Sequence, residues 1–415
     1  MIRIGKLKRY CQPFSKVYQH RSKRLKRVQE TDNSHRVLLI DNQSLSHYTS
    51  YLAFGLSRYR EITFYGFSTQ DYLISGANEQ KRIKYFSIED KLPKGTSIIK
   101  VIMQSLFLLL ILFEALNKTT YKIVHIQGHL PMFFLFIPIL KLKGKKIFWT
   151  MHDVNLRPSN RGLRSKLDLF YTYVVSQPRI VSRYADVILV HGSLLKNQLA
   201  SKGVNDKKIH VIPHFDYRYL MRPSIITKSS QDILPTGYIL LFGKISPYKG
   251  IEVLIEAARI VKKLLVNNNE FNVLIAGEGD FSYFEKLLSK EDYEYIHVLN
   301  KWIPASEIPI LFQRAKLLVL PYTDASQSGV ISLAYTFSRP VIASNVGSIA
   351  EYIEHNETGF IFEACNSTQL ANYLVELIED NCKCIKMGNK ANQKLLKEMS
   401  LEKCCRIINN LYISS

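Results

Sequence analysis

The chain has 415 residues, 47% of them apolar, and carries 56 Lys and Arg against 35 Asp and Glu, a formal net charge of +21. That length points to two or three domains, and that composition gives a sizeable globular core. No repeat of 20–50 residues is evident, which argues against a solenoid.

The charge is concentrated at the start. Residues 1–36 hold eleven Lys and Arg against Glu30 and Asp32, with little apolar periodicity. Such a segment reads as a flexible arm that finds an anionic surface. Acidic phospholipid and nucleic acid both fit electrostatically, and a solvated tail is the plainer alternative. The chain has no RNP, KH or helix-turn-helix pattern to support nucleic acid. Nor does its basic N-terminus contain the apolar segment of a secretory signal. Cys11, Cys365, Cys382, Cys384, Cys404 and Cys405 include no C-x-x-C pair. Reduced thiols in a cytosolic protein fit better than a zinc site.

In chain order, 36–40 reads as a strand buried on both faces, followed by a polar loop, a helix over 49–58 and a strand over 61–67. The apolar runs 101–113 and 130–140 fall short of the roughly 20 residues that span a bilayer and read as buried helices, with insertion at a membrane interface as the alternative. Strands follow at 123–127, 146–151, 185–190 and 209–213, with a helix at 193–201. This alternation predicts a first doubly wound parallel sheet over 37–218. Residues 219–236 are rich in Pro, Ser, Thr and Gly and read as a linker.

A second alternation runs from 237 to 395. Strands are expected at 238–242, 271–276, 295–299, 317–320 and 340–343, and helices at 251–264, 281–289, 305–315 and 369–379. A helical tail, 396–415, closes the chain. The fold class is α/β: two Rossmann-like doubly wound parallel sheets facing a cleft, onto which the loops at their carboxyl ends open.

Three stretches there can do chemistry. Gly243-Lys-Ile-Ser-Pro-Tyr-Lys-Gly250 sets Lys244 and Lys249 just ahead of a helix, where two ammonium groups could neutralise a diphosphate. Gly277-Glu-Gly279-Asp is a fragment of a nucleotide-binding turn, weak alone because the third glycine is missing. Asp324-Ala-Ser326-Gln327-Ser328-Gly329-Val330 joins a buried strand to a helix; its N–H groups suit a phosphate, although an ordinary βα turn has the same pattern. In the first half His152 ends a strand on the cleft side and could hydrogen-bond a sugar or shuttle a proton. Gln43, His47 and Tyr48 are candidates to contact an acceptor. His191 and His214 also follow strands, whereas His125 lies within one and reads as a core residue.

The segments GYILLFGKISPYKGIEVLIEA, NVLIAGEGD, HVLNKWIPASEIPILFQRAKLLVLPY and PYTDASQSGVISLAYTFSRPVIASNVGSIAE, with IVHIQGH, FWTMHDV and HVIPHFD upstream, together resemble family-4 retaining glycosyltransferases. The resemblance covers 37–395. It implies a GT-B fold with a nucleotide-sugar in the C-terminal domain and the acceptor at the N-terminal one, and metal-independent, cofactor-free transfer with retention. By that likeness Lys244 and Lys249 bind the donor diphosphate, Gly243 belongs to the donor site, Gly277, Gly279, Trp302 and Ile303 lie near the nucleoside, and His152 near the transferred sugar. The last helix is expected to cross back onto the N-terminal domain.

One departure stands out. The family's Glu-x7-Glu pair falls on Ala325 and Leu333, neither acidic. Asp324 could cover the sugar hydroxyls, and the loop resembles a subset of the family with D-A-S-Q-S-G here. The implied function is transfer of a sugar to a glycan or polyprenyl-linked acceptor in bacterial surface polysaccharide assembly. Residues 1–36 would then hold a cytoplasmic body on the inner face of the membrane. Its rivals are a non-catalytic nucleotide-sugar or glycan-binding protein and a nucleotide-sugar epimerase.

Overall fold

The computed structural model describes residues 36–41, 46–66, 82–87, 111, 113, 121–128, 137–152, 182–221, 235–265 and 271–415, with backbone alone at 46 and 47. Gln43, residues 222–234 of the linker and the arm up to residue 35 lie outside the described residues, as does most of the apolar run 101–113. Arg36, counted with the arm, is the first residue of a strand and is ion-paired with Glu61.

The first domain contains β1 (Arg36–Asp41), α1 (Ser46–Leu56), β2 (Ile62–Gly66), β3 (Ile83–Ser87), β4 (Tyr121–Gln127), α2 (Ile137–Leu142), β5 (Lys146–Met151), β6 (Val187–Val190), α3 (Ser193–Ser201) and β7 (Ile209–Val211). The strands form one parallel sheet in the order β3-β2-β1-β4-β5-β6-β7. Its central strands are apolar on both faces because helices or the second domain cover each side.

The second domain contains β8 (Tyr238–Phe242), α4 (Ile251–Leu264), β9 (Val273–Ala276), α5 (Ser282–Glu285), β10 (Ile296–Leu299), α6 (Ile308–Arg314), β11 (Ala315–Leu320), α7 (Val330–Thr336), β12 (Val341–Ser344), β13 (Gly359–Phe362), α8 (Ser367–Glu379), α9 (Asn381–Glu398) and α10 (Leu401–Ser414). This sheet is also parallel, ordered β10-β9-β8-β11-β12-β13. The order reverses between β1 and β4 in the first sheet and between β8 and β11 in the second. Those reversals open the crevices where ligands bind in such folds.

Three differences from the sequence reading have physical causes. The helix expected at 49–58 is shifted to Ser46–Leu56; its polar start masked it. The helix expected at 281–289 is only Ser282–Glu285, because the Asp292 carboxylate accepts the Ser289 N–H at 2.8 Å and ends the turn. Strands β3 and β13 had escaped notice: both are short strands at sheet edges.

The last helix does not stay with the second sheet. Ser400 Oγ accepts the Lys403 N–H at its start, a cap worth about 1 kcal/mol. Leu401, Cys404, Cys405, Ile408 and Tyr412 recur at helical spacing and are buried. They pack against α1 and the first sheet: Cys405 lies over Leu52, Asn409 Oδ1 accepts from Arg60 Nε at 2.7 Å, and the Leu401 N–H donates to Asp216 at 2.7 Å.

Candidate active site

The loops leaving β8 and β9 are zipped together. The Gly243 N–H donates to the Ala276 carbonyl at 2.9 Å, the Gly277 N–H to the Leu299 carbonyl at 3.1 Å, and the Ile245 N–H to the Glu278 carbonyl at 3.0 Å. Gly279 bridges Ile245 across the gap. Gly243, Gly277 and Gly279 thus form one floor.

Beyond it, Pro247–Lys249 makes a single 3-10 turn ended by Gly250 in the left-handed region. A Cβ at Gly250 would stand 1.8 Å from the Pro321 carbonyl oxygen, so β11 can approach this turn only past a glycine. The approach fixes Lys249. This lysine is buried, its ammonium donates to the Tyr322 hydroxyl, and it stands 4.2 Å from that ring's centroid. The Tyr322 hydroxyl is 3.5 Å from Ser328 Oγ. Lys249 and the loop after β11 therefore share one network, whereas Lys244 is exposed.

In that loop Asp324 is exposed, Ser328 is buried, and Ser326, Gln327, Gly329 and Val330 are half-buried. The Ser348 N–H donates to the Ser326 carbonyl at 3.0 Å. Ala325 and Leu333 are buried and belong to the hydrophobic core. The Ala325 carbonyl lies against Gly347, where a Cβ would come within 1.7 Å. Trp302 is 62% exposed beside buried Ile303.

Facing this loop, the carboxyl ends of β5, β6 and β7 bring three buried histidines together. His152 Nδ1 is 2.9 Å from His191 Nε2, and the His191 and His214 rings stack with centroids 4.0 Å apart. Tyr48 sits beneath them, edge-on to all three and stacked on Phe215 at 4.5 Å. Its ring forms a buried platform under the three histidines. Burial lowers the His191 pKa to about 4 against the opposing pull of the Ile212 carbonyl. Burial, with His191 nearby, also pushes His214 well below the ordinary histidine value. Both rings are neutral near pH 7.

Several contacts cross between the domains. His214 Nε2 donates to Gln327 Oε1, leaving the buried Nδ1 without a hydrogen-bond partner. Ser332 Oγ donates to the His214 carbonyl at 3.1 Å, and the Tyr352 hydroxyl donates to the His191 carbonyl. Glu351 accepts the Ser193 and Leu194 N–H groups. Sequence reasoning assigned no role to Tyr322, Tyr352, Glu351 or Gln127. Tyr322 is 73 positions from Lys249 and Glu351 is 158 from Ser193, so no local spacing marks them, and only the fold brings them here.

Among the described residues, His152, His191 and His214 also form the one group whose ligand nitrogens lie within 4.8 Å of one another. A shared ion must lie in each ring plane. The His191 and His214 planes differ by only 24° while stacked, so as arranged they form a hydrogen-bonded stack whose lone pairs do not converge on an ion.

Two facing Rossmann-like domains with the crevice between them define the GT-B class. A family model described as "Glycosyl transferases group 1" matches residues 227–394, and one described as "Glycosyltransferase Family 4" matches 88–215. The chain carries the two domains of a family-4-like glycosyltransferase. It is 24% identical to an uncharacterized 41.2 kDa protein in the cps region of Klebsiella pneumoniae, over 67% of this chain and 74% of that one. It is 25% identical to the amylovoran biosynthesis glycosyltransferase AmsK of Erwinia amylovora, over 54% of each. The chain spans about half the length of the first curated relatives it matches. The crystal structure of Anabaena HepE in complex with UDP-glucose superposes with a TM-score of 0.66 at 18% identity, covering 91% of this chain and all of that one; at that identity the likeness is one of fold.

Proposed function

We propose that this protein transfers a sugar, with retention and without a metal ion, from a nucleoside diphosphate sugar to a glycan or polyprenyl-linked acceptor. The observation that carries the reading is the Lys249–Tyr322–Ser328 network, an ordered cation beside a loop of small residues at the switch point of the second sheet. A diphosphate gains charge as its bond to the sugar breaks, and a fixed ammonium stabilises that charge more than it stabilises the intact donor. The leaving phosphate can itself take the acceptor's proton on the same face, so no protein nucleophile is required. The enzyme's work is orientation and charge stabilisation.

The UDP-glucose bound by HepE and the two polysaccharide-locus relatives favour a nucleotide-sugar donor and assembly of a surface polysaccharide. Among the described residues no helix is long and apolar enough to cross a membrane. The basic residues 1–36 would supply attachment to the anionic inner face of the cell membrane.

A second reading, a binder without turnover, is favoured by Ala325 and Leu333, which stand where the family carries acids. A panel of UDP-, GDP- and ADP-sugars decides between them. Donor hydrolysis in the absence of acceptor supports the enzyme; binding without hydrolysis or transfer overturns it.

A further inference from the structure

His152 is tied to the far end of the chain by buried hydrogen bonds. On α10, the Tyr412 hydroxyl is 2.5 Å from His125 Nδ1 on β4. His125 Nε2 is 2.9 Å from the side-chain amide of Gln127 and 2.8 Å from Thr150 Oγ1. Gln127 Oε1 is 3.4 Å from His152 Nε2, with the amide nitrogen turned to His125; the oxygen and nitrogen of an amide are assigned from their partners and exchange by a flip of the group. His152 Nδ1 meets His191 Nε2, and His191 Nδ1 is 2.8 Å from the Ile212 carbonyl.

The protons along this chain follow from its fixed end. A carbonyl only accepts, so His191 carries its proton on Nδ1. Neutral His191 then offers a bare Nε2, and His152 Nδ1 must donate to it. What remains is His152 Nε2, bare when the ring is neutral and protonated when it is cationic.

The Gln127 amide has two orientations, one for each charge state. Against a bare Nε2 it presents its N–H. Its oxygen then accepts from His125 Nε2, and His125 Nδ1 accepts from Tyr412. Every donor meets an acceptor in one direction, from Tyr412 to Ile212. Against a cationic His152 the amide presents its oxygen, and the tautomer of His125 reverses. His125 Nδ1–H then points at the phenol, whose own proton loses its acceptor there. Burial pushes the Tyr412 phenol well above its ordinary pKa and His125 down to about 3, so the donor at one end and the neutral ring beside it are both retained.

We propose that Tyr412 and His125 are positioning residues that hold His152 as the neutral Nδ1–H tautomer, leaving its Nε2 as an acceptor for a hydroxyl of the bound sugar. The proposal rests on the sugar-transfer reading for that hydroxyl. The 3.4 Å link to Gln127 is the longest in the chain and the one a sugar hydroxyl can displace. Among the described residues, Tyr48 from α1, His191 beyond β6 and His214 beyond β7 also face His152.

The test is long-range proton–nitrogen correlation NMR on the full chain labelled with 15N-histidine, with His152 assigned by its loss in His152→Gln. In the wild type at pH 7.5, His152 is expected as the neutral Nδ1–H form. Tyr412→Phe keeps the ring packed edge-on to Phe148 and removes only the hydroxyl. It is expected to raise the midpoint of His152 protonation by at least about half a pH unit, and to lower kcat for donor hydrolysis about fivefold with KM within twofold. Asn409→Ala weakens the docking of α10 through Arg60; it should lower Tm and leave the His152 signals in place. A wild-type His152 that is cationic or Nε2–H at pH 7.5 overturns the proposal. So does a Tyr412→Phe midpoint equal to wild type. The NMR readout needs no turnover, so a chain that transfers no sugar would sink the functional reading and the sugar hydroxyl with it, while the tautomer of His152 and its dependence on Tyr412 are tested separately.

Discussion

Glu351 of the second domain accepts the backbone N–H of Ser193 in the first at 2.7 Å, and of Leu194 at 2.9 Å. Helix α3 has Gly192 as its N-cap and no side-chain cap of its own. The carboxylate of the opposite domain supplies what the local sequence lacks, satisfying two orphan donors at the positive end of the helix.

Glu351→Gln should therefore loosen the pair of domains by about 1 kcal/mol or less, because solvent reaches this carboxylate. The effect depends on pH. Partial burial pushes the Glu351 pKa up, but the Leu194 and Ser193 N–H groups pull it below the ordinary glutamate value. A depressed carboxyl stabilises fully above its unfolded value, about 4.3, and loses that contribution as pH falls through the folded one. Wild type and variant should differ in Tm at pH 7 and converge as acid protonates the group. A difference that is unchanged at low pH would refute the assignment.

Lys249→Ala should lower turnover at least about tenfold, corresponding to roughly 1.4 kcal/mol of lost transition-state stabilisation. Far-ultraviolet circular dichroism should stay unchanged. Lys249→Met keeps the buried stem and should lose as much rate, which separates the charge from the packing. Wild-type turnover in either variant would remove Lys249 from the site.

Much of this arrangement was legible in the sequence, and the reason is periodicity. Buried parallel strands such as Tyr238–Phe242 and Leu38–Ile40 are apolar runs closed by Gly, Pro or Asp, and their alternation with helices dictates two parallel sheets. The loops carrying Lys249 and Ser328 were located because they follow those runs. What was hidden depends on contacts between residues far apart in the chain. Tyr412 and His125 are 287 positions apart, and nothing in a stretch of apolar helix marks one tyrosine as the partner of a strand histidine.

Leu333 supports a prediction about the donor. In the family this position carries the acid that meets the ribose, and a hydrogen bond to a charged group is worth about 1.5–3 kcal/mol. Here Leu333 is packed into the core with Leu320 and Phe337. A donor lacking its ribose 3′-hydroxyl should therefore lose less than about tenfold in kcat/KM. A loss of a hundredfold or more would mean that another group has taken over the ribose.

The basic arm gives the last prediction. With eleven cations against two acids over residues 1–36, binding to vesicles of acidic phospholipid should be strong at low salt. Screening weakens it: the Debye length falls from about 10 Å at 0.1 M salt to about 3 Å at 1 M, and each lysine or arginine near the surface is worth about 1 kcal/mol before screening. A chain beginning at Ser34 should keep its turnover on a soluble donor and lose vesicle binding. Single-stranded and duplex oligonucleotides should bind weakly by comparison, since the sequence carries no RNP, KH or helix-turn-helix pattern. Equal affinity for oligonucleotides and vesicles at the same ionic strength would show that the arm recognises charge alone, and membrane attachment would then need another source.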